Sequence, residues 1–299
     1  SAGGVEAVKV IVSQLPADLP AAVFVVIHLS SITPSYLPGI LTYAGHLPAI
    51  HPPDSAAIEP GRVYVAPPDQ HLVIERDHLR ISPGPKEQRQ RPAINVTFRS
   101  ASLAYGEDVV GVLLTGELDD GVAGLWEIKR RGGIAVVQNP EDAMFPSMPL
   151  SALREIEVDY TVALKDIGPL LARLARADGQ QQRTKIESAA TEPKLTDVTC
   201  PDCGGTIWES HCGSGSEFRC RVGHTFSART MLAEHFATQE RALYSAVVAL
   251  KEGASLANRV ARQFDADAAA ELREEARERE AQAKDVLRIL NEPRAFSLE

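Results

Sequence analysis

No cysteine stands in the first 199 residues; all four fall between Cys200 and Cys220. Thiols so confined read as a metal site in a reducing compartment and exclude a disulfide framework. Long apolar runs are missing as well. The longest, Ala21 to Ile27, falls far short of the ~20 residues that a membrane-spanning helix needs. Positive charge is in deficit, with 31 Lys+Arg against 40 Asp+Glu and a formal charge of −9. A chain of that balance repels phosphate backbones, so nucleic acid is not an expected partner. Neither the 21 Gly nor the 20 Pro form a biased tract, which excludes collagenous and wholly disordered classes. No secretory signal is visible, and the compartment reads as cytoplasmic. What remains is a globular chain of 299 residues, 44% hydrophobic, long enough for one large domain and smaller pieces.

Residues 1–176 alternate apolar runs with amphipathic ones. Val23 to Ile27, Val109 to Leu114 and Ile134 to Val137 are continuous and β-branched, the pattern of parallel strands buried on both faces. Asp120 to Ile128, closed by Gly132-Gly133, reads as a crossover helix. An α/β domain with a doubly wound, mostly parallel sheet follows. Arg62 to Ala66, Leu72 to Ile74 and Leu79 to Ile81 read as short antiparallel strands with a turn at Arg76-Asp77-His78. Residues 177–198, polar and aperiodic, read as a linker. Residues 199–226 hold the cysteines. Residues 227–299 read as a helical hairpin, with Met231, Leu232, Phe236, Leu243, Val247 and Leu250 on one stripe.

Three residues of the first domain occupy strand-end positions, read here as one edge of one sheet. Ser1 begins Ser-Ala-Gly-Gly before a helix, where a hydroxyl can meet backbone N–H groups that hold an oxyanion; an N-cap is its plain alternative. The strand expected before it is absent. His28 ends an apolar strand and faces the crevice where α/β folds place their sites, or is a structural histidine. Asp120 follows Thr115-Gly116 and could simply cap the next helix. Together they supply the nucleophile, base and orienting carboxylate of serine hydrolysis. Such a set requires His28 to take the Ser1 proton at Nε2 while Asp120 holds the other nitrogen. His71 either lines an ester cleft or is structural.

The ordered motifs Ser1-Ala-Gly-Gly-Val-Glu-Ala, Val26-Ile-His28, Arg91-Pro-Ala-Ile-Asn-Val-Thr-Phe-Arg-Ser100, Leu114-Thr-Gly116 with Asp120-Gly121, and Gln138-Asn-Pro-Glu-Asp-Ala143 with Phe145-Pro-Ser-Met-Pro149 resemble the catalytic domain of the CheB-type chemotaxis protein-glutamate methylesterases. The resemblance covers 1–176. It implies hydrolysis of γ-glutamyl methyl esters on chemoreceptors with release of methanol, and deamidation of receptor glutamines. It also implies Ser1 as nucleophile, His28 as base then acid, Asp120 as orienter, and oxyanion donors at the Ala2 and Glu117 backbone. No cofactor enters that chemistry. Where the family has Leu-Thr-Gly-Met-Gly-x-Asp-Gly, this chain reads Leu-Thr-Gly-Glu117-Leu118-Asp119-Asp120-Gly. The Glu117 side chain must then turn away from the oxyanion. The family's receiver domain has no counterpart in this sequence.

Cys200-Pro-Asp-Cys203-Gly-Gly, followed by Cys220-Arg-Val-Gly-His224, has the spacing of a structural zinc site of Cys3His type. Cys212 is the alternative to His224, and a redox pair is the minor reading. So short a module would take its folding energy from the metal. It resembles the zinc-ribbon extension of receiver-less members of the family. The expected partner is a methylated chemoreceptor or related signalling protein. The competing class is a non-catalytic adaptor with a vestigial triad.

Overall fold

A computed structural model describes residues 3–28, 34–176, 192–212 and 215–291. The chain forms two compact units, Ser1–Thr230 and Met231–Glu299. The first opens with α1 (Gly4–Gln14), β1 (Val23–Val25), α2 (Leu37–Ala44), β2 (Ala49–Ile50) and β3 (Val63–Val65). β3 lies between β1 and β2 and runs parallel to both. Every β3 residue is buried, so the run at 62–66 is a central parallel strand and not the antiparallel one expected. Val8 and Val12 of α1, Leu15 just after it, and Leu37 and Leu41 of α2 bury their apolar side chains against Val25, Val63 and Val65. Each such Val or Leu is worth roughly 1.5–3 kcal/mol.

β4 (His71–Ile74) and β5 (Leu79–Ser82) form the expected antiparallel hairpin. There follow α3 (Ile94–Tyr105), β6 (Val110–Leu113), α4 (Val122–Arg130), β7 (Ile134–Gln138), α5 (Ser147–Glu155), β8 (Tyr160–Val162) and α6 (Leu164–Arg176). β6, β7 and β8 make a second parallel sheet, covered by Leu125, Trp126 and Ile128 of α4 and by Met148 and Ala152 of α5. The strands that end near His28 and Asp120 thus belong to two ladders, where the sequence read as one. Their cores still meet. Leu114, just after β6, packs with Val25 and Ile27, while α6 sends Leu170 and Leu174 to the second sheet and Leu171 to the first.

The cysteine module is an antiparallel sheet of β9 (Lys194–Thr199), β10 (Thr206–Cys212), β11 (Gly215–Cys220) and β12 (Thr225–Ser227) in the order β12-β11-β10-β9. β9 occupies part of the stretch read as linker. Only Thr196 and Val198 of this strand turn inward, an edge strand too polar to announce itself; residues 177–191 lie outside the described residues. α7 (Ala228–Val260) leads into the second unit, where it and α8 (Ala266–Asn291) form the hairpin. Its buried seam is Ala254, Ala257 and Ala276. Of the large apolar stripe expected on α7, Met231 and Val247 are buried and Leu232 is exposed, while small residues line the seam between the helices. No helix among the described residues is long and apolar enough to cross a membrane.

Candidate active site and metal centre

α3 has no side-chain cap of its own at Ala93, so its first N–H groups need acceptors from elsewhere. Asp120 supplies both. Its Oδ2 accepts from Ile94 N at 2.7 Å and its Oδ1 from Asn95 N at 3.1 Å. The same Oδ2 lies 2.8 Å from Nε2 of His28. The Asp120 side chain is 3% exposed and that of His28 23%: a buried carboxylate, fixed by a helix N-terminus that favours its charge, holding a half-buried imidazole. Sequence reading assigned Asp120 to the helix that follows it. That helix, α4, is capped instead by Asn95, whose Oδ1 accepts from Gly121 N at 3.0 Å and Gly124 N at 2.7 Å. The start of α3 is capped from the loop before α4, and the start of α4 from the first turn of α3. The nitrogen assignment differs as well: Asp120 engages Nε2 of His28, where the sequence reading had it hold the other nitrogen.

Residues just ahead of α3 fix its position. Arg91 donates from Nε to Asp69 and from Nη1 to the carbonyls of Pro83 and Gly84. His71, 3% exposed, bonds through Nε2 to the Pro85 carbonyl and accepts Ala93 N–H at Nδ1. Accepting at one nitrogen makes it the neutral Nε2–H tautomer, and burial pushes its pKa below the ordinary 6.5. Of the two readings of His71, the structural one holds.

The loop after β6 is pinned by the last motif. Gln138 Oε1 accepts Thr115 N–H, Thr115 Oγ1 accepts Phe145 N–H, Gly116 N–H reaches the Phe145 carbonyl, and Met148 N–H reaches that of Gly116. A Cβ on Gly116 would stand 2.7 Å from Met148 Cε, and one on Gly3 would stand 3.2 Å from Thr115 Cγ2. The turn into α1 therefore lies on Thr115. Ser1 and Ala2 themselves fall outside the described residues. Glu117 is exposed. Leu118 stands where the family pattern has glycine, and its φ of 64° lies in the left-handed region, at roughly 1–2 kcal/mol for a side-chain-bearing residue.

Cys200, Cys203, Cys220 and His224 converge, with their ligand atoms all within 4.8 Å of one another. Cys203 Sγ is 3.8 Å from Cys220 Sγ, and His224 Nδ1 is 3.7 and 3.5 Å from the sulfurs of Cys200 and Cys220. Those spacings match the edges that a tetrahedral site with M–S bonds of about 2.3 Å would have. Burial pushes the Cys200 thiol up to about 12. Burial also acts on Cys220, but N–H groups of Gly223 and its bond to His224 bring it down to about 7. A metal must therefore displace at least the Cys200 proton. The side chain of Cys212 is outside the described residues.

This module rests on the loop ahead of α3. Gln88 N–H donates to the Thr225 carbonyl at 2.7 Å, and Ser227 N–H to Gln88 Oε1 at 3.2 Å. Arg99 joins Glu87 at 2.6 Å to Glu217 at 3.6 Å. Despite burial, those two carboxylates hold its guanidinium above its ordinary value. Asp119, beside Asp120, accepts from the hydroxyls of Ser227 and Thr230. Sequence reading passed over Asn95, Gln138 and Asp119, since nothing in their local pattern tells which helix or loop they will meet.

The CheB methylesterase profile matches residues 1–171, more than half of the chain. A Leptospira interrogans relative is 37% identical over 183 residues, 61% of this chain and 95% of its own length. The Anaeromyxobacter dehalogenans protein-glutamate methylesterase/protein-glutamine glutaminase 5 is 34% identical over 180 residues, 59% of this chain and 49% of that protein; the chain spans about half of its length. The crystal structure of the Thermotoga maritima CheB methylesterase catalytic domain superposes with a TM-score of 0.55 at 28% identity, over 58% of this chain and 94% of that one. The chain belongs to the CheB methylesterase family.

Proposed function

We propose that the protein hydrolyses γ-glutamyl methyl esters on a chemoreceptor-type signalling protein, releasing methanol, and deamidates glutamines at such sites by the same route. The observation that carries this is the bond from His28 Nε2 to Asp120 Oδ2 at 2.8 Å, with Asp120 fixed at the start of α3. Ser1, joined by two peptide bonds to the Gly3 turn, is the nucleophile. Its Oγ bonds to the ester carbonyl carbon while its proton passes to Nδ1 of His28, and Asp120 stabilises the imidazolium. Backbone N–H groups at Ala2 and Glu117 receive the oxyanion. Collapse breaks the carbon–methoxy bond, and the methoxide leaves as methanol with the His28 proton. Water then attacks the acyl-serine and gives a proton to His28; the carbon–Oγ bond breaks, Ser1 Oγ takes that proton back, and the receptor's glutamate side chain is freed. With glutamine as substrate, ammonia leaves in place of methanol.

Cys200, Cys203, Cys220 and His224 would hold zinc, which supplies folding energy to the module and takes no part in the reaction. We assign 1–176 to the catalytic domain, β9 through β12 to the metal module, and α7 and α8 to a helical hairpin. The setting is cytoplasmic, where thiolates stay reduced. The test is methanol release from a methylated receptor fragment: wild type turns over, and Ser1→Ala does not. Absence of turnover by wild type on any methylated receptor would favour the adaptor reading.

A further inference from the structure

We propose that Asp119 is a positioning residue for the esterase centre: it ties the Ser227-capped start of α7, and with it the Cys3His module, to the loop that presents Asp120. This rests on the Ser1–His28–Asp120 reading above. Three helix starts meet this short loop. Asp120 serves α3, Asn95 serves α4 through Gly121 and Gly124, and Asp119 serves α7. Ser227 is the cap of α7: its Oγ accepts Thr230 N–H at 3.1 Å and donates its own proton to Asp119 Oδ2. Thr230 Oγ1 donates to the other oxygen at 3.2 Å. Asp119 is 5% exposed and Thr230 3%, so water does not replace these donors. Burial pushes the Asp119 pKa up while the two hydroxyls oppose it.

The need for an anchor comes from the neighbouring residue. Leu118 is held at φ 64° and is 42% exposed, so its own packing does little to keep it there. On one side the loop is fixed by Gly116, bonded to Phe145 and Met148. On the other, the side chain of Asp119 is the tie. Released, the left-handed residue relaxes toward ordinary backbone, and Asp120, two residues along, shifts against His28. The module thus holds the orienting carboxylate in register from outside the catalytic domain.

The test uses the full, metal-loaded chain and the low-field NMR signal of the proton between His28 and Asp120, identified by its loss in His28→Gln. Ser227→Ala removes the hydroxyl without changing any charge. Exchange of that proton with water is expected to quicken by about tenfold, the size of one charge-assisted hydrogen bond, while kcat for methanol release falls with KM unchanged. Ser227→Thr restores both. Thr230→Val, which leaves the helix cap in place, shifts both in the same direction by less and carries the test should Ser227→Ala lose its metal. Wild-type exchange and kcat in metal-replete Ser227→Ala and Thr230→Val would overturn the proposal, reducing Asp119 to a structural tie. A His28 proton that responds in a chain releasing no methanol would instead overturn the esterase reading and leave the positioning role standing.

Discussion

The Asp120 centre and the Cys3His cluster are both built from polar groups withdrawn from water, but they are satisfied differently. Around Asp120 every acceptor faces a donor that the fold provides, namely Ile94 N–H, Asn95 N–H and His28. In the cluster the ligand atoms face one another, three thiols and an imidazole whose lone pairs have no common partner within the protein. One site is held by its fold; the other, on the zinc reading proposed above, holds its fold through the metal. A centre of the first kind weakens step by step as its neighbours are removed, whereas a centre of the second kind fails as a whole.

The sharpest break in that comparison is metal removal. Chelation or Cys200→Ser takes away apparent binding free energy on the order of 10–16 kcal/mol. Amide signals of β9 through β12 should collapse while those of β6 and β7 persist, and methanol release should fall only as far as it does in Ser227→Ala. A module that stays folded without metal would erase the distinction. Next in size is Asp120→Asn. Both oxygens accept from N–H groups, so an amide NH2 faces a donor in either orientation. Turnover should drop on the order of 10⁴, the loss typical when a triad carboxylate becomes an amide, with a fall in Tm from the uncapped helix. Asn95→Ala should follow. It orphans the buried N–H groups of Gly121 and Gly124, each costing about 1–3 kcal/mol, read as a lower urea midpoint.

The smallest effect is one of pH. Burial holds His71 below its ordinary 6.5, so below that pH the unfolded chain binds a proton that the folded one resists. Stability is therefore full above about 6.5 and declines as pH falls through the folded value, at most about 1.4 kcal/mol per pH unit. Urea melts at pH 7.5 and 5.5 should show this slope in wild type and not in His71→Gln.

Much of this was legible in the residues themselves. Continuous β-branched runs announced the parallel strands, the Cys-x-x-Cys spacing announced the ligand set that converges, and the ordered motifs announced the family. What was not legible depended on partners distant in sequence. Asp120 caps α3 from 26 residues away, and a local reading gives it to α4. β3 was misread because its short run looks alike in either sheet type until its neighbours are known. β9 was hidden by exposure, since an edge strand with two inward residues carries too little periodicity. Leu118 was visible as a departure from a family glycine, but its left-handed backbone and its dependence on Asp119 belong to the fold alone.

The most direct measurement is methanol release from a methylated receptor fragment by the intact chain beside His28→Ala. Release by wild type, with loss of at least 10³-fold in the variant, is the result expected of an imidazole that both takes the Ser1 proton and returns it to methoxide. Equal release by the two proteins would contradict a centre built on His28 and Asp120.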